Sequence, residues 1–360
     1  MSMLIAGIGT AVPPHRIAQA DAAEIAKRFS CETTAQERLF QTLYRRAGVE
    51  TRHCVVLLVS EGDLESRQSF YGGTHPTTLD RMREYEAAAG TLAVDAGWAA
   101  LRDAGVAAGR VTHLVTVSCS GFYAPGFDIA LMKQLSLSSD VARTHIGFMG
   151  CHGALNGLRV ARGFVDADPK ACVLLCAAEL CSLHHQYGWD ADKIVANSLF
   201  ADGAAAVVGV AGGASDAGPA AYRVVASGST LIDDSEDAMS WRIGNHGFEM
   251  TLSPRVPELI GRSLRPWLEG WLSRHGLTID TVGSWAVHPG GPRILAAFGE
   301  AAGVNQPALA TSHRILAEYG NMSSPTVLFI LDRLRRAQSP RPCVALAFGP
   351  GLAVEAAILI

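Results

Sequence analysis

The sequence predicts an α/β protein, and three observations carry that expectation. Apolar runs of strand length alternate with helical periodicity along almost the whole chain. The 360 residues are 49% hydrophobic and 18% charged, an apolar balance with enough length to bury a large core. The alternation also resumes after a Gly/Ala/Ser-rich stretch, GVAGGASDAGPAA, at residues 209–221. That stretch places a seam between two similar halves, 1–215 and 216–360, although no repeat is visible residue by residue.

In the first half, residues 3–8 read as a strand ended by the turn around Gly9 and Pro13, and 18–29 and 35–46 read as helices. Residues 60–79 are polar and rich in turn formers, so a long loop is expected before a helix over 80–104. Strands are expected at 113–118, 143–147, 171–176 and 204–210, with helices at 127–135 and 151–166. In the second half, strands at 222–230 and 283–287 alternate with helices at 257–274 and 291–302. A helix over 324–337 has Ser324 as N-cap and Pro325 at N1. Its apolar stripe, Val327, Leu331 and Leu334, lies opposite Asp332, Arg335 and Arg336. Strands at 343–348 and 353–359 close the chain as a hairpin through Gly349-Pro350-Gly351.

Charge and composition narrow the function classes. A net charge of −4 and a pI near 6.3 provide no basic field for nucleic acid. No run of about 18 apolar residues is present to span a membrane. The N-terminus lacks the pattern of a secretory signal, so a cytoplasmic protein is expected. The eight cysteines form no tight framework, which fits free thiols in a reducing compartment. Cys172, Cys176 and Cys181, in ACVLLCAAELC, read as small core residues rather than metal ligands; no metal is expected.

Three segments place a reactive side chain at the edge of a regular element. In FMGCHGALNGL, Cys151 sits at a helix start, where the positive end of the helix dipole favours thiolate. In SWAVHPGGP, His288 emerges at a strand end that Pro289-Gly290-Gly291-Pro292 prevents from continuing. In EYGNMSSP, Asn321 occupies a turn just before a capped helix. Each alone reads as readily as a core cysteine, a structural histidine or a turn asparagine. Together, a thiol, an imidazole and an amide are the parts of acyl transfer. The imidazole and amide can also hold an oxyanion, or the enolate left by a decarboxylation.

MGCHGA, VHPGGP, YGNMSSP, SLFADGAAAVV and AFGPGLAVE resemble the signature segments of the chalcone synthase, or type III polyketide synthase, family, in that family's order from Met149 to Glu355. The resemblance implies the thiolase fold: two similar α/β halves forming a five-layered αβαβα core. It implies that Cys151 carries a starter acyl group taken from an acyl-CoA. His288 and Asn321 would then assist decarboxylative extension with malonyl-CoA, without any cofactor beyond these thioesters. Phe200 matches a gatekeeper position. Met250 falls at the second gatekeeper, usually aromatic, with Phe248 two residues before it. Glu179, Cys119, Ser323 and His184 match positions around the cavity, and Arg45, Arg46 and Arg52 a basic mouth for CoA phosphates. Trp241 aligns where the plant enzymes commonly have glycine, so it is expected to fill cavity volume. His152 and His185 read as polar wall groups or satisfied structural histidines. A homodimer is implied, with Ala124 replacing a methionine that reaches the partner's cavity. The expected product is an alkylpyrone or alkylresorcinol from a fatty acyl starter, with Trp241 pointing equally to a small starter.

The nearest alternative is a ketoacyl-ACP synthase III-like enzyme, whose histidine and asparagine contexts differ from HPGGP and GNMSS. A thiolase would use a second cysteine, and Cys343 lies in a strand. A papain-type hydrolase lacks its local signatures here. A non-catalytic acyl-binding protein on the same fold is the remaining alternative.

Overall fold

The structure, a computed structural model, describes residues 2–73, 75–212 and 221–360. Strand β1 (Ser2–Ala11) is followed by β2 (Arg16–Ala18), α1 (Gln19–Ser30), α2 (Thr34–Arg46) and β3 (Thr51–His53), which pairs with β2. Helix α3 (Thr78–Ala104) leads to β4 (His113–Ser118), α4 (Phe127–Gln134), β5 (Ala142–Gly147) and α5 (Gly153–Ala167). Then come β6 (Cys172–Leu180), α6 (Ala191–Leu199) and β7 (Asp202–Gly212). The second half runs β8 (Tyr222–Leu231), the hairpin β9 (Met239–Gly244) and β10 (Gly247–Leu252), α7 (Val256–Ser273) and β11 (Ser284–Val287). It ends with α8 (Pro292–Ala302), α9 (Ala310–Tyr319), α10 (Pro325–Arg336), β12 (Cys343–Gly349) and β13 (Ala353–Leu359). Most of the seam, with the division at 215/216, falls in 213–220, outside the described residues.

The repeat that residue types hide is written in the strand pairing. In the first half β1 runs antiparallel to β7, β7 antiparallel to β6, and β6 parallel to β4. In the second, β8 runs antiparallel to β13, β13 antiparallel to β12, and β12 parallel to β11. Strand β5 extends the first half beyond β4. The halves join where β1 meets β8 through Met3↔Val224, Leu4↔Arg223 and Ile5↔Tyr222. Among the described residues this makes one sheet in the order β11-β12-β13-β8-β1-β7-β6-β4-β5.

Side-chain alternation sorts these strands into layers, because successive residues face opposite sides of a sheet. Val173, Leu175 and Ala177 of β6 pack inward with α5 and α10, whereas Leu174, Cys176 and Ala178 pack outward with α3 and α4. Likewise Ala345 and Ala347 of β12 face inward, while Val344, Leu346 and Phe348 face α7 and α8. Helices α5 and α10 thus lie between the two sheet halves, with α3/α4 and α7/α8 outside: five layers, the thiolase architecture. Burial on both faces explains why β6, from Cys172 to Ala178, and β12 are continuously apolar rather than alternating.

Helix α3 lies so close to β1 that only glycine fits there. A Cβ on Gly9 would sit 2.2 Å from the backbone nitrogen of Ala100 and 2.3 Å from the carbonyl oxygen of Ala96. Gly9→Ala is therefore expected to destabilise the fold by about 3 kcal/mol, read as a lower urea midpoint. The control is Gly163→Ala, on the exposed face of α5 with nothing within 4 Å, which should gain about 0.5–1 kcal/mol.

Two expectations about α10 are corrected. Ser324 precedes the helix but makes no capping hydrogen bond; its hydroxyl donates to Glu179 at 2.8 Å instead. Arg335 is not on a solvated face. It is buried and pairs with Asp103 and Asp332, so a charged residue was drawn inward by two carboxylates.

Candidate active site

The two halves deliver three side chains to one small chamber. Cys151 lies in a 3-10 turn, Gly150–His152, that leads into α5. Gly150 makes that turn possible: its φ is 70°, and a Cβ would meet Pro350 Cδ at 2.3 Å. His288 follows β11, anchored by its backbone N–H to Leu346 O at 2.8 Å. Asn321 is tied to the first half by two backbone bonds, its N–H to Leu199 O at 2.8 Å and its carbonyl accepting from Ala201 at 2.9 Å. The chamber they share is closed by Phe200, Met239, Met250, Leu252 and Phe348. A continuation beside Cys151 is lined by Cys181, Trp241 and Ser323.

His288 is buried, and among the described residues neither of its ring nitrogens has a hydrogen-bond partner. Desolvation, helped by nearby His152, pushes it down to about 3, so the imidazole is neutral at physiological pH. Burial pushes the Cys151 thiol up to about 12, with the side chains of Ser323 and Asn321 opposing that rise. Cys151 lies in the 3-10 turn just ahead of α5, where burial opposes the thiolate that the helix start favours. Asn321 is oriented by its Oδ1, which accepts from the Ser323 N–H at 2.8 Å and directs Nδ2 the other way.

Glu179 and Cys119 stand one layer behind the chamber rather than lining it. The Glu179 carboxylate accepts from the N–H and Oγ of Ser120, at 2.9 and 2.6 Å, from the Cys119 N–H, and from Ser324 Oγ. Burial still raises its pKa. Cys119 Sγ bridges Glu179 at 3.3 Å and Ser323 Oγ at 3.3 Å, so it links the buried acid to the chamber wall. Burial and the Glu179 charge raise its thiol pKa, and its bonds to Glu179 and Ser323 place it behind the wall rather than in the chamber as a second nucleophile.

The remaining candidates form an aromatic wall. The Trp241 indole donates to Cys119 O at 2.7 Å, meets His184 edge-on at 5.4 Å, and tilts against Phe200 at 6.1 Å. His184 is fully used: Nε2 bonds Ser120 O at 2.6 Å, Nδ1 accepts from the Phe248 N–H, and the ring stacks on Phe248 at 4.3 Å. His152 is likewise satisfied, by Asn156 Oδ1 at 2.7 Å. Beyond this wall lies a half-open cavity of about 100 Å³, lined by Phe200, Trp241, Phe248, Met250, His184 and His185 together with α1.

The three arginines part company. Arg45 and Arg46 are exposed at the end of α2, and Arg46 lines a cleft that shares Leu199, Leu252, Gly290 and Ile294 with the Cys151 chamber. Arg52 does not belong to a solvent-facing mouth. It is buried, and donates to the carbonyls of Asn197, Ser198 and Phe200 at 2.8–2.9 Å and to Gln19. It holds the Phe200 segment instead of awaiting a phosphate.

Sequence reasoning missed Arg293, which faces the same cleft as Arg46. Its signal was a cation directly after the HPGGP turn. It also missed Met239 and Pro350, and it left Cys181 in the core although that thiol borders the chamber.

Comparison with known proteins follows the same outline. The family profile described as chalcone and stilbene synthases, N-terminal domain, matches residues 1–213, and its C-terminal counterpart matches 223–360. The chain is 35% identical over 358 residues to 1,3,6,8-tetrahydroxynaphthalene synthase of Streptomyces peucetius subsp. caesius, covering 99% of this chain and 92% of that one. It is 32% identical to the alpha-pyrone synthesis polyketide synthase-like Pks18 of Mycobacterium tuberculosis, covering 98% and 89%. Among solved structures, PKS-I of the brown alga Ectocarpus siliculosus superposes with a TM-score of 0.92 at 29% identity, covering 99% of this chain and 98% of the other. The C-terminal type III polyketide synthase domain of Steely1 from Dictyostelium superposes at 0.91, with 28% identity and coverage of 100% and 99%.

Proposed function

This chain belongs to the chalcone and stilbene synthase family and is a type III polyketide synthase, and we propose that it builds its product on Cys151 with His288 and Asn321 as the activating pair. The observation that carries this reading is the unpartnered imidazole of His288 beside a thiol and an amide. Leaving a buried polar atom unmet costs about 1–3 kcal/mol, which a substrate carbonyl would recover.

The imidazole that starts the chemistry is neutral. As Cys151 Sγ attacks the thioester carbonyl of an acyl-CoA, its proton passes to His288, and the departing CoA sulfur takes that proton back. Malonyl-CoA then occupies the chamber. Its carboxylate leaves as CO₂, and the electron pair becomes an enolate whose oxygen is held by His288 and Asn321 Nδ2. The enolate carbon attacks the acyl carbonyl, a carbon–carbon bond forms as the acyl–Sγ bond breaks, and Cys151 leaves as a thiolate that takes a proton from solvent or attacks the next thioester directly. Arg46 and Arg293 are the cations available at the cleft for the CoA phosphates. No group besides the two thioesters enters these steps.

A fatty acyl starter and an alkylpyrone or alkylresorcinol product fit a relative named for alpha-pyrone synthesis and the apolar cavity next to the chamber. A homodimer is supported by exposed Phe122, Phe148 and Met149, which cluster at the end of edge strand β5. Among the described residues no helix is long and apolar enough to cross a membrane; a cytoplasmic location is proposed from the eight cysteines, which form no disulfide framework. The halves divide at 215/216, Cys151 belonging to the first and His288 and Asn321 to the second.

The test is incubation with malonyl-CoA and an acyl-CoA series, with CoA release and products followed by mass spectrometry. Extended pyrones or resorcinols are expected. Absence of any CoA release contradicts the reading, and dependence on malonyl-ACP favours a ketoacyl-ACP synthase III-like enzyme. Trp241→Gly opens the partition beside Cys151 at a stability cost of about 3 kcal/mol. Products longer by at least one extension should dominate; an unchanged product length means that Trp241 does not bound the cavity.

A further inference from the structure

Asn321 owes its place to the ends of two helices, and neither helix completes its own end. Helices α6 and α9 stop at Leu199 and Tyr319, and neither carries a basic residue in its last turn. A helix C-terminus leaves carbonyls without partners and holds a partial negative charge. At α6 the Ala196 carbonyl accepts from the Phe200 N–H, which leaves those of Asn197, Ser198 and Leu199. Arg52 reaches them from β3. Its Nη1 donates to Asn197 O at 2.8 Å and Phe200 O at 2.9 Å, and its Nη2 to Ser198 O at 2.8 Å. The Leu199 carbonyl between them is the one that accepts from the Asn321 N–H.

The two residues before Arg52 close α9 in the same way. The Glu50 N–H donates to Ala317 O at 2.8 Å, and Thr51 Oγ1 to Glu318 O at 2.7 Å. Gly320 then turns the chain with φ at 73°, where a Cβ would meet Ala201 Cβ at 2.9 Å and Leu199 O at 3.0 Å. Asn321 is the next residue. Glu50–Arg52 is thus a clasp on both segments that seat it. Gln19 braces the clasp: its N–H donates to Glu50 O, its Nε2 to Ser198 O, and its Oε1 accepts from Arg52. The Arg52 fork spans three carbonyls in fixed directions, which a lysine point charge would not.

We infer that Arg52 is a positioning residue for decarboxylation, holding the end of α6 so that the Asn321 amide stays at the enolate oxygen. Arg52 itself does not line the chamber. The inference rests on Asn321 as the enolate donor and adds what keeps that donor in register. A misplacement of about 1 Å at such a donor costs up to about a hundredfold in rate.

The experiment follows CO₂ release from malonyl-CoA, and acyl loading on Cys151 by intact mass, in the full-length enzyme. Asn321→Ala should slow decarboxylation by about 10²-fold. Arg52→Met should lower its kcat by about thirtyfold with KM for malonyl-CoA unchanged, and Arg52→Lys should recover part of that loss. Loading, which draws on Cys151 and His288, should stay within about threefold. In the Asn321→Ala background Arg52→Met should cost less than about twofold more, because its effect runs through the amide already removed. Thr51→Val keeps the shape of β3 and loses only the bond to Glu318 O. It should slow decarboxylation by about threefold without touching loading, and it decides the matter if Arg52→Met fails to melt cooperatively. Losses that multiply in the double variant, loading that falls in step with decarboxylation, or unchanged decarboxylation in the folded variants overturns the inference while the Asn321 assignment stands. An Asn321→Ala enzyme as fast as wild type overturns that assignment and the inference together.

Discussion

Cys151→Ala is expected to abolish acyl loading and chain extension, a loss of at least about 10⁴-fold, while malonyl-CoA decarboxylation persists. The separation follows from the division of labour in the chamber. Cys151 is the thiol that shares the chamber with His288 and Asn321, whereas Cys119 is bonded to Glu179 one layer behind the wall. Decarboxylation needs no nucleophile, only donors at the enolate oxygen, and His288 and Asn321 are untouched by the substitution. Loading is read by intact mass and decarboxylation by release of CO₂. Extension products from the alanine variant would contradict the assignment, and loss of both activities would show that Cys151 also shapes the decarboxylation site.

His288→Ala should lower decarboxylation by about 10²–10³-fold, the usual cost of removing a preorganised oxyanion donor. His288→Gln, which keeps an N–H, should recover part of that loss. The pH profile separates a neutral donor from an imidazolium. Burial brings His288 from 6.5 down to about 3, so its neutral form prevails at every pH above that value. Decarboxylation by the Cys151→Ala enzyme should therefore be flat from about pH 5 to pH 8 and fall only on strong acidification. A profile that rises as pH drops through 6.5 would mean that His288 works as a cation.

Much of this site was legible in sequence because its three residues sit at chain punctuation. His288 precedes a Pro-Gly-Gly-Pro stop, Asn321 precedes a proline-started helix, and Cys151 follows a glycine that alone tolerates the turn into α5. Strands β6 and β12 were legible as unbroken apolar runs because both faces are covered. The hairpin β9–β10 was not, since it leans on the wall with only one face and its strands mix Arg242, Glu249 and Trp241. Helix α6 is nine residues long and α9 ten, too short for a clear period, although Asp190 caps α6 with two backbone bonds. The remaining misreadings share one cause. Arg52, Arg335 and Ser324 look like surface or capping residues until the tertiary fold gives them carbonyls or carboxylates to bind. The burial that raises the Cys151 thiol is equally hidden in sequence, because depth is a property of the layers and not of the MGCHGA segment.

The measurement that bears most directly on the central claim is peptide mass spectrometry of the enzyme quenched after brief exposure to dodecanoyl-CoA. The account predicts one acyl adduct, on the peptide carrying Cys151, which disappears when malonyl-CoA is added and extended products form. An adduct on Cys119 or Cys181 with Cys151 unmodified would contradict it, as would a Cys151 adduct that malonyl-CoA never discharges.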